Sequence, residues 1–199
     1  MFEDTYRTIS APAAGSYSEK RSKFLAYAFP VKTEAQVKER LAEIQRKHND
    51  ARHHCFAYIL GPNKDAYRMN DNGEPSGTAG RPIHGQLMSK DLTDTLVVVV
   101  RYFGGIKLGV SGLQNAYKQA AREALDAATI VEKTVDETYE ITFEYLRMNT
   151  VMQLMKDPFV NIISQRSDMS CTILFSVRRR EADRIVTALK KVGEVRSCG

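Results

Sequence analysis

The chain has 199 residues, 43% of them apolar, and a formal charge of +5, which is enough to bury a core in one large domain or two small ones. Its three cysteines, Cys55, Cys171 and Cys198, are odd in number and widely spaced, a pattern that argues against a disulfide framework or a zinc knuckle and for a reducing, cytoplasmic setting. The N-terminus lacks the basic and apolar segments of a signal peptide, and no apolar run approaches the ~20 residues of a membrane span, so a soluble protein without a membrane partner is expected.

Thr5 to Ser10 reads as a weak strand and Ala11 to Ser16 as a turn of small residues. Lys20 to Val31 reads as a longer strand, with Lys20, Arg21 and Lys23 as a basic cluster at its start. Thr33 and Gln36 form a capping box, and Val37, Leu41 and Ile44 share one stripe, so Thr33 to His48 is expected to be a helix. In the strand His53 to Leu60, His53, Cys55 and Ala57 share one face and His54, Phe56 and Tyr58 the other. His53 and Cys55 have no third ligand at a diagnostic spacing, and a structural role is expected for them rather than a metal. Ala66 to Asn70 pairs back as a hairpin and delivers Asp71 to a glycine-rich loop, Asp71 to Pro82. Pro82 to Ser89 follows as a short helix.

Leu96 to Val100 is a short β-branched run of the kind buried on both faces of a sheet. Gly104, Gly105, Gly109 and Gly112 succeed it, and the stripe from Leu113 through Ala116, Tyr117, Ala120 and Ala124 to Ala128 marks a helix opening at Leu113. A helix start fed by glycines directs unpaired N–H groups and a positive dipole end at the loop, which is how anion sites are built. The spacing of Gly104 and Gly109 is that of a phosphate-binding loop, but Val110 and Ser111 stand where that motif needs Lys and Ser or Thr. The candidate phosphate- or nucleic-acid-binding residues are Glu74, Ser76, Gly77, Thr78, Arg101, Tyr102, Gly104, Gly105, Lys107 and Gly109. Arg101 and Lys107 supply charge at the loop surface. Tyr102 offers a face on which an unpaired base can stack, and Phe103 is expected to seal the loop against the core. For Glu74, an ion pair with Arg101 or bonds to loop amides outweigh a general-base role.

The runs Gly73-Glu-Pro-Ser-Gly-Thr-Ala-Gly80 and Arg101-Tyr-Phe-Gly-Gly-Ile-Lys-Leu-Gly109, with Ser22-Lys23-Phe24, His53, Cys55, Ala57-Tyr58 and Ala116-Tyr117, resemble the signature of the IMPACT/YigZ family across essentially the whole chain. Three positions depart from it: Asn72 replaces a usual Asp, Ser111 a usual Gly, and Asn115 a common basic residue. The resemblance implies an α/β (α+β) protein of two domains. Residues 1–133 would form an N-terminal β-α-β sandwich similar to domain IV of elongation factor G, and residues 134–199 a ferredoxin-like domain similar to its domain V. It implies RNA or the ribosome as partner. Eukaryotic relatives act through protein contacts that control a kinase sensing amino-acid starvation, with an extra domain that this chain lacks. No established enzymatic activity, catalytic residue, cofactor or metal comes with the family.

Thr129 to Val135 reads as the boundary. Beyond it the pattern is strand (134–144), helix (147–156), strand (159–166), strand (169–177), helix (178–192) and a short tail, a βαββα order that suggests a split βαβ unit. Residues 1–133 hold 19 Lys and Arg against 15 Asp and Glu, and residues 134–199 hold 10 against 9. The excess of cations therefore sits in the half with the glycine loops. A non-enzymatic RNA-binding module with a regulatory role in translation is the leading expectation. An enzyme acting on a small phosphorylated or nucleotide substrate and a protein-interaction adaptor are the alternatives.

Overall fold

The computed structural model describes residues 4–199. The chain divides into two compact units, Tyr6–Lys133 and Thr134–Gly199, the latter taking in residues 4 and 5.

The first unit is built on a five-stranded sheet of β2 (Ala13–Glu19), β3 (Ser22–Pro30), β6 (Thr95–Tyr102), β4 (His53–Leu60) and β5 (Ala66–Asn70), in that spatial order. All of its pairs are antiparallel. The central strand β6 alternates between two cores, as a period of two requires. Val97 and Val99 face α2 (Gly80–Ser89) and α3 (Gly109–Ala127), together with Phe24, Cys55, Ala57 and Tyr117. Leu96, Val98 and Val100 face α1 (Glu34–Lys47), whose Val37 and Ile44 cover them. The alanine stripe of α3 is fully buried at Ala116, Ala120, Ala121 and Ala124. Helix α1 starts where the capping box places it, with the Gln36 N–H donating to the Thr33 hydroxyl at 3.2 Å. β1 (Thr5–Ile9) pairs with β7 (Ile130–Thr134) in a separate two-stranded sheet.

The second unit has a four-stranded antiparallel sheet ordered β11 (Glu194–Ser197), β8 (Asp136–Phe143), β10 (Cys171–Arg178) and β9 (Val160–Ser167). With α4 (Met148–Leu154) and α5 (Arg179–Leu189), the chain order is βαββαβ, the ferredoxin-like arrangement. Ile141, Ile173, Phe175 and Val177 form its core with Val151, Ile185 and Leu189.

Three expectations are corrected. Ala13 to Ser16 belong to an edge strand rather than a turn, because pairing with β3 in register Ala13↔Ala28 overrides the weak β preference of small residues. Glu194 to Ser197 form the closing strand of the second sheet and not a tail. The expected boundary segment, Thr129 to Val135, contains the division between Lys133 and Thr134 and is formed as strand β7. Helix α3 opens at Gly109, four residues before Leu113. Helix propensity disfavours the Gly-Val-Ser-Gly start, but burial of Leu113, Ala116 and Tyr117 behind it holds the first turn in place.

Candidate nucleic-acid interface

The register of the sheet brings the first unit's polar residues together. Phe24 on β3 and His53 on β4 are the direct neighbours of Arg101 on β6, and the three side chains stand in one row on the α3 face. Tyr117 descends from α3 onto this row, edge-on to Phe24 with ring centroids 5.1 Å apart.

Glu74 enters from the first glycine loop. Its Oε1 accepts from Arg101 Nη1 at 2.7 Å and from the Tyr117 hydroxyl at 2.7 Å. Both partners of the ion pair are buried, Glu74 with 3% and Arg101 with 7% of its side chain exposed. Arg101 therefore does not stand at the loop surface as expected. The residue's place in the β6 alternation turns it inward, and Glu74 compensates its charge. The Arg101 Nε nevertheless has no hydrogen-bond partner, although a buried polar group in a finished core is normally paired. His53 sets Nδ1 2.9 Å from the Asn72 carbonyl, to which it donates, and leaves Nε2 3.9 Å from Glu74 Oε1. Cys55 lies beneath, its thiol donating toward the Asp71 carbonyl at 3.1 Å. Burial pushes that thiol up to about 12 and raises the Tyr117 hydroxyl well above its ordinary value. Neither is a nucleophile at neutral pH.

The first glycine loop closes on itself. Asp71 accepts the N–H groups of Gly77 at 2.9 Å, Ala79 at 3.1 Å and Gly80 at 2.8 Å. Burial alone would raise its carboxyl, but the bonds from Gly77, Gly80 and Ala79 outweigh that and hold it below the ordinary carboxylate value. The start of α2 is thus already occupied by a carboxylate of the chain. Thr78 is buried with its hydroxyl donating to the Pro75 carbonyl at 2.6 Å, whereas Ser76 is exposed. Asn72 uses its side-chain oxygen to accept the His54 N–H at 2.8 Å and adopts a φ of 40°, a left-handed conformation that Asn tolerates.

The second loop is different. Gly104 fits against β3 so closely that a Cβ would lie 2.1 Å from the Arg21 carbonyl carbon, and its N–H donates to the Ser22 hydroxyl at 3.1 Å. Gly104 is accordingly a packing residue. Gly105 is exposed, and Gly109 turns the chain into α3 with φ at 72°. No side chain caps α3, and Leu108 stands at its cap position. Lys107 is exposed just before this start.

Tyr102 and Phe103 exchange the roles expected of them. Alternation puts Tyr102 on the α1 face, where its hydroxyl donates to Asp50 at 2.9 Å and lies 2.8 Å from His48 Nδ1. Phe103 is 58% exposed, with the Arg101 guanidinium 5.5 Å from its ring centroid. It is an exposed aromatic ring beside the Arg101 guanidinium.

These elements bound a cleft of about 420 Å³. Arg52, His53, Arg101 and Lys107 line its polar side, Phe103, Val110 and Leu113 its apolar side, and the start of α3 its end. Of the expected site residues the cleft gathers Glu74, Arg101, Lys107 and Gly109. Thr78 and Gly104 serve packing, Tyr102 lies on the other face of the sheet, and Ser76, Gly77 and Gly105 do not line this cleft. Arg52, Val110 and Tyr117 were not assigned to a site from the sequence, and His53 was read as structural. The alternation of β4 already set His53 on one face, but only the pairing register placed it beside Arg101.

Residues 20–125 match the family model described as the Impact N-terminal domain. The chain belongs to the IMPACT family. It is similar to the IMPACT family member YigZ of Escherichia coli, 34% identical over 170 residues that cover 84% of this chain and 82% of that one. The IMPACT family member of Haemophilus influenzae is 30% identical over 192 residues, covering 88% and 92% respectively. A crystal structure described only as that of a hypothetical protein covers 100% of this chain and 99% of its own, with a TM-score of 0.78 at 26% identity. Similarity to an IMPACT family member therefore extends over most of the chain. No helix among the described residues is long and apolar enough to cross a membrane.

Proposed function

We propose that this IMPACT protein is a cytoplasmic RNA-binding module, acting at the ribosome in the regulation of translation, and that the cleft at the start of α3 holds the RNA. The observation that carries this reading is the meeting of an uncapped helix start with Arg101, buried and incompletely bonded, Lys107, exposed, and Phe103, an exposed ring, in one cleft. A phosphate there would receive N–H groups and charge-assisted bonds, while Phe103 offers a face to an unpaired base. The acid–base role weighed for Glu74 loses support, because Arg101 and Tyr117 already hold its carboxylate.

The test is titration of the full chain with single-stranded RNA over a range of salt, together with co-sedimentation with ribosomes. Affinity should fall steeply and linearly in log[salt], by about 0.7 in slope for each phosphate neutralised on a single strand. Absence of binding at low salt, or binding indifferent to salt, would refute the proposal. Capture of a protein partner that survives nuclease treatment, without RNA affinity, would favour the adaptor.

A further inference from the structure

We infer that the cleft is the first of two subsites on one RNA track, the second being an open groove on the far side of the first turn of α3. This inference rests on the RNA reading of the cleft. The groove also has a volume of about 420 Å³, and Gly77, Arg81, Ser111, Asn115 and Lys118 line it.

Two walls are continuous from one subsite to the other. On α3, Val110 and Leu113 face the cleft, whereas Ser111, Gln114, Asn115 and Lys118 face the groove. The latter four recur at the three- and four-residue spacing of a single helix face. On the first glycine loop, Pro75 lines the cleft and Gly77 the groove, and the exposed Ser76 falls between them. A strand leaving the cleft therefore crosses the helix start beside Ser76 and enters a surface of different chemistry. The cleft combines apolar side chains with charge, which suits a base and its phosphate. The groove combines amides with two cations, which suits sugar and phosphate. Arg81 and Lys118 are both exposed, and neither forms an ion pair among the described residues. The unpaired Nε of Arg101 and the uncapped start of α3 mark the cleft end of the track. Gly109 to Lys118 spans roughly 14 Å along the helix axis at 1.5 Å per residue, a reach of more than one nucleotide.

The experiment compares uridine monophosphate with uridine oligonucleotides of increasing length, by calorimetry on the full chain. Wild-type affinity should rise with length and level off at on the order of four nucleotides. In the Arg81→Ala/Lys118→Ala double variant the gain on lengthening should disappear, leaving the longer RNAs bound about ten- to a hundredfold more weakly, the loss expected from one or two charged hydrogen bonds. The salt slope for those RNAs should become shallower by about 1.4, two phosphate contacts on a single strand. An unchanged thermal melt shows that the double variant is folded. Lys23→Ala removes one cation outside both subsites. If it abolishes the gain equally, general charge is responsible and the track is wrong. If the double variant keeps the wild-type gain with length, the groove is not a subsite, while the cleft reading survives. If neither the monophosphate nor any oligonucleotide binds at low salt, the cleft reading itself has failed.

Discussion

At 3% and 7% exposure, the Glu74 and Arg101 side chains are a buried pair, and breaking such a pair leaves the surviving charge without compensation. Arg101→Ala should cost about 3–5 kcal/mol of stability, and Arg101→Ala combined with Glu74→Gln should cost less than the sum of the two single changes. Chemical denaturation of the four proteins provides the cycle. Lys107, exposed and outside every ion pair among the described residues, should behave oppositely. Its replacement by Ala should move stability by no more than about 0.5 kcal/mol, while weakening RNA by roughly 1–3 kcal/mol. Under the proposed function, the two cations expected to act as equals from the loop surface would divide the work, Lys107 as an exposed charge and Arg101 as a buried partner of Glu74 with one unpaired N–H.

At the scale of elements, one histidine ties α1 to two strands. His48 caps the end of α1, with Nε2 2.7 Å from the Tyr27 hydroxyl on β3 and Nδ1 2.8 Å from the Tyr102 hydroxyl on β6. Burial chiefly, and Lys47 and His54 in addition, lower its pKa from 6.5, against the pull of Asp50 in the other direction. Below 6.5 the unfolded chain binds a proton that the native histidine refuses. Stability from this group is therefore fully present above pH 6.5 and is lost as pH falls from there toward the depressed native value. Urea unfolding of the first unit at a series of pH values should show that decline, and His48→Gln should flatten it in this window. A decline undiminished in the variant would assign the dependence to other groups.

At the scale of the whole molecule, the two clusters around the first sheet and the cluster of the second unit share no residue. The expected boundary is drawn into strand β7, so cleavage between Glu132 and Asp136 would first require the β1–β7 pair to open. Independent folding is better tested by unfolding than by proteolysis. We expect two transitions in a calorimetric scan, with deletion of residues 134–199 removing one and leaving the other in place. A single transition that disappears on deletion would mean one cooperative unit.

The sequence by itself determined the elements whose signal is local. The run Leu96 to Val100 has the short β-branched pattern of a strand covered on both faces, Thr33 and Gln36 fixed the start of α1, and the alanine stripe after Leu113 defined the buried face of α3. The two glycine-bearing signatures were enough to identify the family. What the tertiary structure decided is where these elements meet. Ala13 to Ser16 became a strand because β3 offered hydrogen bonds to pair with, and Glu194 to Ser197 because β8 did. Arg101, Tyr102 and Phe103 are consecutive in the sequence, yet one is buried beside Glu74, one is pinned by His48 and Asp50 across the sheet, and one is exposed at the cleft. Alternation along β6 separates the first two, but which face carried the site depended on the register that set His53 and Phe24 beside Arg101. The pairing of β6 with β3 and β4 is a long-range register, made by the packing of both sheet faces at once rather than by a hairpin turn.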